Sequence, residues 1–140
     1  MVTMNKLDAA YQATTYRVFL PGGLCDLRLG QASEVLRCWL ETAEASSFAI
    51  LTAHNPGSKQ LDQALNMERQ SEMELELLEN GYEPFSGENV ADADDWPDEE
   101  TCFVLDIELS EVCALAAKYG QSAAVHGTAD GVPHLVWIEK

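Results

Sequence analysis

The run Ala53-His54-Asn55-Pro56-Gly57-Ser58-Lys59-Gln60 gathers an imidazole, a carboxamide, a hydroxyl and an ammonium around a Pro-Gly pair. His54 belongs to the one residue type that titrates near neutrality without perturbation, so it can serve as a general base or a donor. A short apolar stretch precedes the run and a long amphipathic one follows. This is the pattern of a strand end leading into a helix N-terminus. Ligands collect at such strand ends, and free N–H groups there favour phosphate or carboxylate. His54, Asn55, Ser58 and Lys59 are therefore candidate ligand-binding residues. The Gly-Lys-Ser/Thr order of a phosphate loop is absent. Asn-Pro-Gly is also an ordinary turn sequence, and a loop histidine commonly caps a carbonyl. Both readings stand at this level.

A second concentration of chemistry is acidic. Asp92, Asp94, Asp95, Asp98, Glu99 and Glu100 surround Trp96-Pro97, without the offsets, central Gly or closing Glu of a calcium loop. A solvated loop is expected, with Trp96 pinning it to the body or flanking a pocket. Residues 68–111 hold 16 acids against one base, Arg69, and so carry nearly all of the chain's net charge of −16. Glu72, Glu76, Glu79, Asp94, Asp95 and Trp96 form a candidate partner surface, since charge complementarity steers encounters with a basic protein. Simple solvation of these acids is the plain alternative.

Several classes drop out. The eight basic residues form no cluster, so direct nucleic-acid binding and attraction to an anionic membrane are not expected. There is no Gly-x-Ser-x-Gly elbow, no Gly-x-Gly-x-x-Gly fingerprint and no His-x-x-His pair. No metal and no cofactor is expected, and whether the chain is an enzyme stays open. Cys25, Cys38, Cys102 and Cys113 are widely spaced in apolar contexts. With no export signal in residues 1–15 they read as reduced core thiols of a cytoplasmic protein.

The elements that must position these groups follow from periodicity. Residues 16–20 and 24–29 read as a hairpin around Pro21-Gly22-Gly23. Ser33 caps a helix bearing Val35, Leu36, Trp39 and Leu40. Residues 48–53 read as a buried strand, and a long helix spans about 61–80 with Leu61, Ala64, Leu65, Leu75 and Leu78 as its stripe. Strands are expected at 82–85, 102–107, 122–126 and 133–138. A helix capped by Ser110 stops at Gly120, and Asp130-Gly131 marks a closing hairpin. Crossovers favour parallel neighbours and hairpins antiparallel ones. The fold class is α/β (α+β): one domain over 1–140, a mixed sheet of six or seven strands, three helices, and hairpins at both ends.

Four pieces together resemble a bacterial family catalogued only as domain-of-unknown-function family 3293. They are Ala53-x-Asn55-Pro56-x-Ser58 after a strand, Asn66 in the following helix, the approach from Trp96 to Glu100 into a strand, and the run from Tyr119-Gly120-Gln121 to Val125. The resemblance implies homology and lends no activity. It ties Asn55, Ser58, Asn66, Glu100 and Gln121 into one constellation, with the doubled Glu99-Glu100 leaving the carboxylate open by one residue. Such a set suits a pocket for a small polar ligand, or a network that satisfies buried backbone groups.

The leading expectation is a non-catalytic binding or regulatory module that meets a basic protein partner. The alternative is a small-molecule-binding enzyme or sensor using the 54–60 loop, for a small polar or anionic ligand.

Overall fold

Along 48–51 every side chain is apolar, and the run is buried from both sides. In the computed structural model, which describes residues 4–139, this run is strand β3 (Ser47–Leu51), and its two faces serve two separate cores. Phe48 and Ile50 join one core with Leu36 and Leu40. Ala49 and Leu51 join the other with Met73, Leu77, Val112 and Leu115. Period-2 alternation within a continuous apolar run is what a sheet sandwiched between helices requires.

The elements in order are α1 (Met4–Gln12), β1 (Thr14–Leu20), β2 (Gly23–Leu27), α2 (Glu34–Thr42), β3, a 3-10 turn (Pro56–Ser58), α3 (Gln63–Glu79), β4 (Phe85–Ala91), β5 (Glu99–Leu105), α4 (Leu109–Lys118), β6 (Ala123–Thr128) and β7 (His134–Trp137). The seven strands form one sheet in the order β2-β1-β4-β5-β3-β6-β7. Helix α2 packs on one face, joined by Tyr11 of α1, and α3 and α4 pack on the other. Stacked rings of Phe48 and Phe103, 5.5 Å apart, anchor the first core. Each such buried side chain contributes about 1.5–3 kcal/mol.

The α/β class, the seven strands and both terminal hairpins hold. The helix count is four rather than three. Helix α1 escaped the periodicity reading because it buries no residue completely and offers only Leu7 and Tyr11 as an apolar pair. Every pairing is antiparallel. The crossovers β3-α3-β4 and β5-α4-β6 do join strands that run parallel, but each admits one antiparallel strand between its ends. Interleaving two such units gives the split β-α-β connectivity of ferredoxin-like sheets.

Local corrections have similar causes. The buried face of α3 is Asn66, Gln70, Met73 and Leu77, whereas Leu65, Leu75 and Leu78 lie exposed. Two amides occupy stripe positions because backbone at the sheet's end needs their hydrogen bonds. The strand expected at 82–85 begins at Phe85 and runs to Ala91. Its Glu88 faces Arg17 of β1, so a polar outer face hid it. Ser33 caps α2 as expected, with its hydroxyl accepting from Leu36 N at 3.2 Å. Helix α4 instead begins at Leu109, so Ser110 is no cap. The four cysteines are free, and Cys38 is exposed rather than in the core. Among the described residues, no helix is long and apolar enough to cross a membrane.

Candidate functional site

The loop after β3 turns on Asn55, which sits at φ 48°, ψ 61°. Asn is among the few residue types that visit this left-handed region readily. Its carboxamide makes three hydrogen bonds. Oδ1 accepts from Leu61 N at 2.9 Å and from Asn66 Nδ2 at 2.8 Å, while Nδ2 donates to Glu99 Oε2 at 2.7 Å. Asn66 Oδ1 accepts the Asn55 backbone N–H at 2.9 Å, and Gln70 Oε1 accepts that of Ala53 at 2.8 Å. Arg69 donates to the carbonyls of Ala53 at 2.9 Å and Tyr119 at 2.5 Å. Gln121 Nε2 donates to the His54 carbonyl at 3.0 Å, and Gly57 N donates to Gly120 O at 2.9 Å. These groups lock the loop to α3 and to the α4–β6 connection, satisfying backbone that a buried loop would otherwise strand.

The expected anion cradle does not form. Extended residues follow the 3-10 turn, so the loop does not run directly into α3, which starts at Gln63. The Asp62 carboxylate caps that N-terminus, accepting from Ala64 N at 2.8 Å. An acidic cap already occupies the positive end of the dipole.

Beside the loop lies a cavity of about 320 Å³, roofed by α1 and floored by the sheet. Leu7, Ala10 and Tyr11 come from the helix; Tyr16, Ile50 and Val125 rise from the sheet. Glu99 and Asn89, cross-strand partners on β5 and β4, supply polar groups on the floor. Trp96 stands at the edge, its indole N–H donating to Glu99 Oε2 at 3.2 Å. The Tyr16 hydroxyl donates to the Tyr11 carbonyl at 3.0 Å, fastening the roof.

Electrostatics sharpen this corner. Burial pushes the Glu99 carboxyl above its usual 4.5, with the Asn55 and Trp96 hydrogen bonds opposing. The Tyr11 phenol is pushed up to about 12 by burial and, second, by the Glu99 charge. Tyr16 is raised by burial too, with Glu99 among the lesser causes. Asn89 Oδ1 is buried with no partner among the described residues, as are His54 Nε2 and Thr101 Oγ1. Burial lowers the His54 pKa, favouring the neutral ring.

Of the residues singled out by sequence, Asn55, Ser58, Gln121, Asp95 and Trp96 line the cavity. Asn66 and His54 are buried behind the loop and do not line it. Lys59 and Glu100 are exposed; the Glu100 carbonyl accepts from Thr52 Oγ1 at 2.8 Å, and its carboxylate charge opposes the lowering of the His54 pKa by burial. Successive strand residues face opposite ways, so Glu99 lies on the sheet face of Thr101 and Phe103, while Glu100 lies on the α3–α4 face with Cys102 and Val104. Glu72, Glu79 and Asp94 are exposed. Glu76 is half-buried and accepts from Lys118 Nζ at 2.6 Å and from the Tyr119 hydroxyl at 3.3 Å. Sequence reasoning missed Tyr11, Tyr16 and Asn89. The signal for Glu99 was the alternation 99-101-103 against the core phase of Phe103.

The family model for DUF3293, described as a protein of unknown function, matches residues 51–124, more than half of the chain. The chain belongs to this family. No curated protein and no solved structure shows significant similarity to it. The DUF3293 span holds Asn55, Asn66, Asn89, Trp96, Glu99 and Gln121, whereas Tyr11 and Tyr16 come from the preceding segment. The cavity is thus built where the family region meets the N-terminal helix and hairpin.

Proposed function

We propose that this DUF3293 protein binds a small molecule in the cavity beneath α1, acting as a sensor or an enzyme. One observation carries the reading: a desolvated carboxylate, Glu99, and an unpartnered amide oxygen, Asn89 Oδ1, face each other across two strands inside a mostly apolar cavity of about 320 Å³. Pockets for small ligands have this size and this make-up, apolar walls with a few fixed polar groups. The loop polar residues rigidify that floor instead of touching ligand through a helix N-terminus. A bacterial cytoplasm, where four unpaired thiols stay reduced, is the setting that fits.

The test is thermal shift against a broad panel of nucleotides, sugar phosphates, amino acids and amines, in wild type and Ala10→Phe. Ala10 is an exposed helix residue at the cavity wall, so Phe there fills the space at little cost to the fold. A specific compound should raise the Tm of wild type by mass action and leave the variant unmoved. A panel with no effect, or equal effects on both proteins, removes the reading.

A second reading is a non-catalytic interaction module that meets a basic protein partner. It draws on the outer face of α3, where Leu65, Met67, Leu75 and Leu78 are exposed among Glu68, Glu72 and Glu79. Its test is recovery of a partner whose binding weakens with salt and with charge reversal at Glu72 and Glu79.

A further inference from the structure

Resting on the cavity reading above, we infer that the ligand is a compact organic cation, an ammonium or guanidinium on a short apolar skeleton, with Glu99 as its counter-ion and Asn89 as second acceptor. Both donors that reach Glu99, from Asn55 and Trp96, bond to the same oxygen, Oε2. No hydrogen bond from a described residue reaches Oε1. Among the described residues no Lys or Arg forms an ion pair with Glu99; Arg17, Arg28, Arg37 and Lys118 each pair elsewhere, and Lys6 of α1 lines the cavity without an ion pair to this carboxylate. A partly buried carboxylate that pairs with no cation among the described residues carries a desolvation cost, and a charged ligand that supplies a partner recovers it.

The acceptor beside Glu99 agrees in sign. Asn89 is the register partner of Glu99, so two acceptors stand side by side on one rung of the sheet, about 5 Å apart at their Cβ atoms. An ammonium or guanidinium donates several hydrogen bonds from one small head and can meet both. Tyr11, Tyr16 and Trp96 line the same space, and aromatic side chains are common partners of organic cations. An anionic ligand would place its charge against Glu99, in a chain whose net charge is −16.

The experiment uses the full chain near neutral pH, with calorimetry and thermal shift in three arms. The cations are putrescine, agmatine and cadaverine; the neutral probes are 1,4-butanediol and glycerol; the anions are succinate and ribose 5-phosphate. At least one cation should bind saturably and keep binding at ionic strength high enough to screen the acidic surface. The neutral and anionic arms should be silent. Glu99→Gln, whose carboxamide oxygen still accepts from Asn55 and Trp96, should stay folded and lose about tenfold to a hundredfold in affinity. Asn89→Leu should lose less. Binding by a neutral or anionic probe with the cations silent overturns the cation assignment and leaves the cavity reading standing. Silence in every arm overturns the cation assignment, and the cavity reading then rests on its own panel. Cation binding unchanged in Glu99→Gln overturns the assignment by locating the cations on the outer surface.

Discussion

Asn55 Nδ2 donates to Glu99 Oε2 at 2.7 Å, joining the loop after β3 to the strand that carries the cavity's carboxylate. That one bond makes the loop's fold and the site's chemistry depend on each other. The Asn55 carboxamide also accepts from Leu61 N and Asn66 Nδ2, so it fixes the chain path and the Glu99 rotamer together.

Asn66→Leu should therefore cost stability out of proportion to its size. It leaves the Asn55 backbone N–H, buried in the protein, with no acceptor. A buried unsatisfied donor costs about 1–3 kcal/mol. Urea denaturation should show an unfolding free energy lowered by that amount, read as a lower midpoint at unchanged slope. A midpoint within error of wild type would mean that the loop is not held as described.

The pH dependence has a defined sign. Burial raises the Glu99 pKa above 4.5, so the folded state binds this proton more tightly than the unfolded chain does. The stability it contributes is whole below 4.5 and is lost as pH rises through the raised value. Glu99→Gln should thus gain on wild type between pH 4.5 and neutrality, measured as the difference in denaturation midpoints. His54 works in the other direction. Its lowered pKa gives stability present above 6.5 and lost as pH falls, a limb that Glu99→Gln retains.

Gly127 and Gly120 mark two close approaches. A Cβ at Gly127 would lie 2.3 Å from the Phe48 ring and 2.6 Å from the Val132 carbonyl. One at Gly120, where φ is +71°, would lie 2.7 Å from Pro56 Cβ. Gly127→Ala should cost about 1–3 kcal/mol through overpacking of the core. Gly120→Ala should be destabilising too, and it alone should weaken ligand binding, because it displaces the 54–58 loop. Equal binding losses in both variants would separate the loop from the site.

Tyr11→Ala tests the roof. The Tyr11 ring lines the cavity and meets Trp137 edge-on at 5.8 Å, while α1 buries no residue completely. Truncation should reduce affinity several-fold and cost at least the roughly 0.5–1.5 kcal/mol that an aromatic pair adds beyond its burial. Unchanged affinity would place the ligand elsewhere.

The legible part of this fold was its apolar framework. The 48–51 run, the Ser33 cap and the hairpin at Asp130-Gly131 announced themselves because burial, capping and turns leave residue types that point one way. Helix α3 was misread on its buried face because Asn66 and Gln70 sit where periodicity asks for leucine; their place is dictated by backbone donors of a distant loop, which no local pattern encodes. Strand β4 was hidden for a related reason, its outward Glu88 answering Arg17 of β1. At the site, Asn55 and Trp96 were visible as types suited to a loop and a pocket edge. Glu99 needed the strand's phase, and Asn89 needed knowledge of which strand lies opposite.

The most direct measurement follows the Trp96 indole N–H by ¹H–¹⁵N NMR while each of the seven probes is titrated in. That proton donates to Glu99 Oε2 at the cavity edge, whereas the Trp39 ring packs against Phe85 and Phe103 in the first core. A cation should move the Trp96 resonance saturably, leave Trp39 in place, and lose its effect in Glu99→Gln. A Trp96 resonance that stays still with every probe, or moves alike in wild type and Glu99→Gln, would contradict ligand binding at this carboxylate.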